Sequence, residues 1–225
     1  MQLSELIIFQ THQFVVANKP AGVPIQLDKT GDKPLVDLLS IYCKSNLYVV
    51  HRLDRPVSGI VVFAKTKKAA AHFSKQFQEK TIDKTYLAVV KECPEPKNGI
   101  LTHYLKKQGN QEKVFKEPTS GALEAQLAYT HLAASDNYHL LEIKPVTGRF
   151  HQIRAQLAAI GSHIKGDVKY GFKRSNPDRS IHLHAWKLSF KHPVTNYVLS
   201  YEAPLPDEKL WKTLFEMIST EGKEA

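Results

Sequence analysis

One carboxylate in this chain stands where it can do chemistry. Asp54 lies in His51-Arg52-Leu53-Asp54-Arg55-Pro56-Val57-Ser58-Gly59, with an arginine on either side of it. Nearby guanidinium groups favour its ionised form. An ionised, positioned aspartate serves as a nucleophile, a base or a member of an ion pair, and the segment alone leaves all three open. Apolar runs at 47–50 and 60–64 bound the segment, a pattern that predicts strand, charged turn, strand. A carboxylate on a short loop between buried strands is held firmly and can still face solvent or a ligand.

The elements that must hold this turn follow from periodicity and punctuation. Residues 6–9 and 14–18 read as two short strands joined by a turn at 10–13. Lys19-Pro20-Ala21-Gly22-Val23-Pro24 is a rigid turn, with prolines fixing the backbone and Gly22 admitting an unusual dihedral. After a polar loop at 28–34, residues 35–42 fit a short helix with Leu35, Leu38, Leu39 and Tyr42 on one face. Thr66 is the expected N-cap of a helix running to about residue 80, with Phe73 and Phe77 inward and Lys67, Lys68, Lys75 and Lys80 outward. Strands are expected at 85–90, 100–105, 123–134, 138–144, 183–190 and 197–202. Residues 106–120 read as a mobile basic loop and 165–180 as a second one, carrying Lys165, Lys169, Lys173, Arg174 and Arg179. Residues 150–160 read as a helix ended by Gly161, with Ile153, Leu157 and Ile160 on its buried face. Residues 207–219 form a last helix. Many strands with interspersed helices indicate a mixed α/β or α+β architecture, and the absence of repeats or linkers predicts a single domain over 1–225.

The 225 residues carry a formal net charge of +9, with 42% hydrophobic and 24% charged residues. That balance supports a real core and favours a polyanionic partner, a nucleic acid or an acidic membrane surface. No apolar run is long enough to span a bilayer, and the N-terminus lacks a basic stretch followed by an apolar one, so a cytoplasmic, reducing setting is expected. Cys43 and Cys93 sit in no CxxC, and neither has a histidine at metal-ligand spacing in the sequence, which argues against zinc. His182 and His184 read as a hydrogen-bonded core pair rather than metal ligands.

Four separated blocks carry a resemblance. They are Asn18-Lys19-Pro20-Ala21-Gly22-Val23-Pro24; His51-Arg52-Leu53-Asp54 with Ser58-Gly59 and Ala64-Lys65; Val146-Thr147-Gly148-Arg149-Phe150-His151-Gln152-Ile153-Arg154 with Gly161 and Gly166-Asp167; and Leu183-His184-Ala185-Trp186 running to His192-Pro193. In order and spacing the chain resembles the RluA-type pseudouridine synthases, from about residue 5 to residue 204. The resemblance implies an α+β fold, the pseudouridine synthase catalytic fold, with a long, mixed, mostly antiparallel sheet, flanking helices and a central RNA-binding cleft. It implies isomerisation of specific uridines to pseudouridine in structured RNA (rRNA or tRNA) with no metal and no cofactor. It makes Asp54 the catalytic aspartate, Arg154 the arginine paired with it and Tyr86, in Lys84-Thr85-Tyr86, the active-site tyrosine near the uracil. Arg52 is the arginine that enters the RNA helix where the flipped nucleotide was, and His51 and Arg149 join it as expected RNA contacts. Positions 55–57 are Arg-Pro-Val where many members have Arg-Asp-Thr, and Gln26 stands where a histidine is common. Only a few residues precede the first strand, so the small RNA-binding module of many relatives is expected to be absent and the chain to act as a monomer.

The chemistry fits those residue types. Uridine isomerisation breaks the C1′–N1 bond, turns the base and rejoins it through C5. A carboxylate suits the first step, as nucleophile or as stabiliser of charge at C1′. A nucleotide stacked in a stem must first be turned out, at a cost of a few kcal/mol, which an inserted arginine can offset.

Overall fold

A computed structural model describes residues 2–221. In chain order its first elements are β1 (Ile7–Gln10), β2 (Phe14–Lys19), α1 (Leu35–Tyr42), β3 (Tyr48–Val49), β4 (Ser58–Ala64), α2 (Lys67–Gln78) and β5 (Asp83–Val90). Then come β6 (Asn98–Gln108), β7 (Gln111–Phe115), β8 (Leu123–Ala134), β9 (His139–Pro145) and α3 (Gln152–Ala159). The chain closes with β10 (Leu183–Lys191), β11 (Val198–Glu202) and α4 (Lys209–Glu221). The class is α+β, and β1–β2, β2–β4, β3–β4, β10–β11, β5–β9, β8–β9, β6–β8 and β6–β7 all pair antiparallel. The chain divides into two compact units, Met1–Lys84 with Ala185–Pro204, and Thr85–His184 with Leu205–Ala225.

In the first unit, β2 and β4 read as continuous apolar runs because both of their faces are covered. Val15, Ala17, Val61 and Phe63 pack with Leu35 and Leu39 of α1. Phe14 meets Phe73 of α2 and Phe190 of β10 edge-to-face, with centroids 5.8 and 5.3 Å apart. Each such side chain, taken wholly out of water, contributes about 1.5–3 kcal/mol. Thr66 caps α2 as expected, its hydroxyl accepting the Ala69 amide at 3.1 Å. The α1 stripe is narrower than its spacing suggested. Tyr42 is exposed, and Val36 and Cys43 pack against the core instead.

The second unit holds an antiparallel run β5–β9–β8–β6–β7. Helix α3 packs on β6 and β7, and α4 on β8 and β9. Trp211 and Leu214 of α4 are buried. Residues 106–120, expected to be a mobile loop, largely form a hairpin. β6 runs on to Gln108, turns at Gly109-Asn110 and pairs with β7 in register, Leu105 opposite Val114 and Tyr104 opposite Phe115. Its outer half is polar on both faces, so no apolar alternation betrayed it, and backbone pairing supplies most of the order. The hairpin is also tied to the segment after α3. The Gln111 side-chain amide donates to the Lys169 carbonyl at 2.6 Å and the Glu112 amide donates to the Tyr170 hydroxyl at 2.9 Å. Ile160, expected to be buried, is exposed, because α3 stops at Ala159. Among the described residues no helix is long and apolar enough to cross a membrane.

Candidate active site

The turn bearing Asp54 is built from buried anchors. Leu53 and Val57 are sunk in the first unit while Asp54 between them is half-buried. The Val57 amide donates to the Asp54 carbonyl at 3.1 Å and closes the turn. Beneath it lies Lys19, the last residue of β2, with no exposed surface. Its ammonium donates to the carbonyls of Pro20 and Val23, both at 3.0 Å, and of Arg55 at 3.1 Å. One side chain thus fastens the proline-rich turn to the Asp54 turn, and the Gly22 amide adds a second tie to the Arg55 carbonyl at 2.8 Å. Burial pushes Lys19 down to about 7, and the Asp54 charge works against that shift. The carboxylate and the ammonium therefore act on one another.

The neighbours of Asp54 divide the remaining work. His51 stacks on Phe77 with centroids 4.8 Å apart, and its Nε2 accepts the Val62 amide at 2.9 Å. Burial, then the Lys84 charge, push its pKa down to about 3. It is a neutral acceptor that anchors the turn to β4. Arg52 is exposed. Arg55 directs its guanidinium to Asp28, Thr30 and Asp32, tying the polar loop to the turn. Gly59 is the second residue of the exit strand, β4, where β10 passes close. Its φ is +114°, and a Cβ there would lie 2.1 Å from the Ala185 carbonyl oxygen.

In the second unit, α3 presents Arg154 almost wholly buried. Its Nε donates to Asp167 Oδ2 at 2.7 Å and a terminal nitrogen donates to Oδ1 at 2.8 Å, a two-pronged, charge-assisted pair. The guanidinium also lies over the Tyr170 ring, 5.1 Å from its centroid. The helix begins at His151, whose backbone is left-handed at φ 47°. Burial, then Arg154, push His151 down to about 3. A neutral ring fits one hydrogen-bond assignment: the Tyr170 hydroxyl donates to His151 Nδ1 at 3.0 Å and accepts the Glu112 amide. Burial raises Tyr170 to about 12, so the hydroxyl keeps its proton.

The segment before α3 is fixed by Gln152. Its Oε1 accepts from the Thr147 hydroxyl at 2.7 Å and the Arg149 amide at 2.9 Å, and its Nε2 donates to the Gln126 carbonyl at 3.0 Å. Arg149 itself is exposed, with Nε on the Glu124 carbonyl at 3.0 Å. Tyr86 is half-buried on β5, opposite Ile143 of β9.

Of the residues expected from sequence, the first unit gathers His51, Arg52 and Asp54 on one turn, and the second holds Arg149 and Arg154 around the start of α3, with Tyr86 on β5. Sequence reasoning assigned no role to Lys19, Asp167, Tyr170 or Gln152. Lys19, Gln152 and Asp167 do stand inside the quoted blocks. A further signal was Gly166, at φ +86°, where a Cβ would meet Asn176 and the Ser180 carbonyl at 2.7–2.8 Å. It marks the tight bend that delivers Asp167.

Comparison with known proteins agrees with this architecture. A family model described as RNA pseudouridylate synthase matches residues 13–159. The chain is 33% identical to tRNA pseudouridine synthase C of Vibrio parahaemolyticus, over 93% of each chain. It is 28% identical to ribosomal large subunit pseudouridine synthase D of Zymomonas mobilis, covering 94% of this chain and 72% of that one. Among solved structures, Human RNA Pseudouridylate Synthase Domain Containing 4 superposes with a TM-score of 0.75 at 25% identity, covering 96% of this chain and 94% of that one. The chain belongs to the RNA pseudouridylate synthase family, enzymes that are isomerases.

Proposed function

We propose that this enzyme converts particular uridines to pseudouridine in structured tRNA or rRNA, with Asp54 acting on the ribose of a flipped-out nucleotide. Arg154 is the cationic partner of that carboxylate, Tyr86 stands against the uracil, and Arg52 takes the place of the everted base. Arg149 contacts RNA beside it, and His51 serves the RNA site through the turn that it anchors. The two units act together as one catalytic domain, monomeric and cytoplasmic.

The observation that carries this reading is the Asp54 turn, where a half-buried carboxylate on a solvent-facing bend is clamped by a wholly buried lysine on three carbonyls. Such holding keeps a carboxylate aimed without shutting it away, which suits attack at C1′ or support of positive charge there. The uracil detaches from C1′ at N1 and rejoins through C5; the C5 proton leaves to solvent and N1 takes one up. Reactant and product have the same atoms and the same oxidation level, so the residues present suffice. The +9 charge favours the polyanionic substrate.

The test is tritium release from RNA labelled at C5 of uridine. The wild-type protein is expected to release tritium from total RNA of its own source without forming free uracil. Asp54→Asn is expected to fold, bind RNA and release none. Turnover by that variant in a clean preparation would remove Asp54 from its role, and no release by the wild type would overturn the reading.

A further inference from the structure

A second cluster of reactive side chains lies in the second unit, among residues given no part in the isomerisation. Cys93, in the connection from β5 to β6, meets His131 of β8 and His139 of β9, and one ligand atom from each lies within 4.8 Å of the others. All three side chains are half-buried, and Cys93 is a free thiol. We propose that Cys93, His131 and His139 form a binding site for a borderline-soft divalent cation, zinc by its chemistry, with water as the fourth ligand.

The spacing carries the argument. His131 Nε2 and His139 Nδ1 are 3.3 Å apart. Two histidine nitrogens on a tetrahedral zinc, each about 2.0–2.1 Å from the metal, are about 3.3 Å from one another. As a hydrogen bond between the two rings the same distance is at the long end of the range. A zinc-bound sulfur at about 2.3 Å stands about 3.6 Å from each nitrogen, so from a separation within 4.8 Å the thiol need move in by about 1.2 Å at most. The backbone holds the three donors in place. The His131 amide donates to the Lys97 carbonyl at 2.8 Å, and the Tyr129 hydroxyl donates to the Pro96 carbonyl at 2.9 Å, fastening the Cys93 segment to β8. The β8–β9 ladder slips between His131 and Ala133, a bulge beside the site of the kind that re-aims side chains.

The surrounding charges are mixed. Lys91 and Lys97 both act on His139 and oppose a cation, and Glu92 acts the other way. Lys91 is engaged with the Asn137 carbonyl at 3.2 Å. Burial first, then those lysines, hold His139 below the ordinary histidine value. Burial also raises the Cys93 thiol, and the metal displaces its proton on binding. Bound there, the ion would staple the β5–β6 connection to the β8–β9 hairpin.

Chelator-treated full-length protein titrated with Co²⁺ tests this. The expected result is one equivalent bound, with the intense visible bands of tetrahedral cobalt and a thiolate-to-cobalt charge-transfer band, all displaced by Zn²⁺. Cys93→Ser should abolish the charge-transfer band while circular dichroism shows a folded chain. His139→Ala should weaken binding at least tenfold, and Cys43→Ser should change nothing. Zn²⁺ should also slow maleimide labelling of Cys93 in the wild-type protein at least tenfold, a readout that needs no variant. Weak octahedral cobalt bands indifferent to Cys93→Ser, a charge-transfer band lost with Cys43, or labelling of Cys93 at an unchanged rate with Zn²⁺ would each overturn the site.

Discussion

Replacing Asp167 by asparagine isolates what the buried Arg154 depends on. Arg154 and Asp167 are 4% and 2% exposed and share two short hydrogen bonds, at 2.7 and 2.8 Å. Asparagine keeps the shape and one acceptor, but its NH₂ then faces a guanidinium N–H and the negative charge is gone. Breaking a buried ion pair by removing one charged member costs about 3–5 kcal/mol, a large part of the roughly 5–15 kcal/mol that holds a domain folded. With a urea m-value near 3 kcal/mol per M, the midpoint should fall by about 1 M or more. Trp211, buried on α4 of the same unit, is the fluorescent reporter. On the role proposed for Arg154, turnover should fall with it, since a catalytic group displaced by about 1 Å can lose a hundredfold in rate. A midpoint shift under about 0.3 M, worth less than about 1 kcal/mol, would put the pair among ordinary surface ion pairs and refute the reasoning.

Three further outcomes follow from the same geometry. Lys19→Met should remove the donor shared by the carbonyls of Pro20, Val23 and Arg55, lowering stability by about 2 kcal/mol or more and slowing tritium release; an unchanged melting temperature with full turnover would show that the clamp is idle. Gly59→Ala should cost more than about 4 kcal/mol, because its Cβ would enter the Ala185 backbone at a positive φ, and soluble protein with wild-type stability would contradict that packing. His51 and His151 are held near 3 in the folded state against an ordinary value of 6.5, so the unfolded chain takes up protons first as pH falls. Their contribution is present above about pH 6.5 and is lost toward pH 3, by up to roughly 2.7 kcal/mol per pH unit for the two together; urea midpoints that stay level from pH 7 to pH 5 would argue against two buried neutral rings.

Much of the first unit was legible because its signals are local. The Thr66 cap, the helix at Leu35–Tyr42 and the strands either side of Asp54 follow from residue type and period within a dozen positions. The β6–β7 hairpin was not, because polar strands held mainly by backbone pairing leave little mark on side-chain pattern. The same division holds for charges. That Asp54 belongs to a turn among arginines, and that Arg154 closes the motif ahead of it, can be read from order along the chain. That Arg154 forks onto Asp167, that Arg55 turns to Asp28 and Asp32, and that Lys19 lies beneath the Asp54 turn cannot, because long side chains choose partners by burial and direction in space. Cys93, His131 and His139 show the limit most plainly. They are scattered in sequence, with no metal-ligand spacing, and become neighbours because antiparallel pairing of β8 and β9, and the fastening of the β5–β6 connection to β8, bring distant residues side by side.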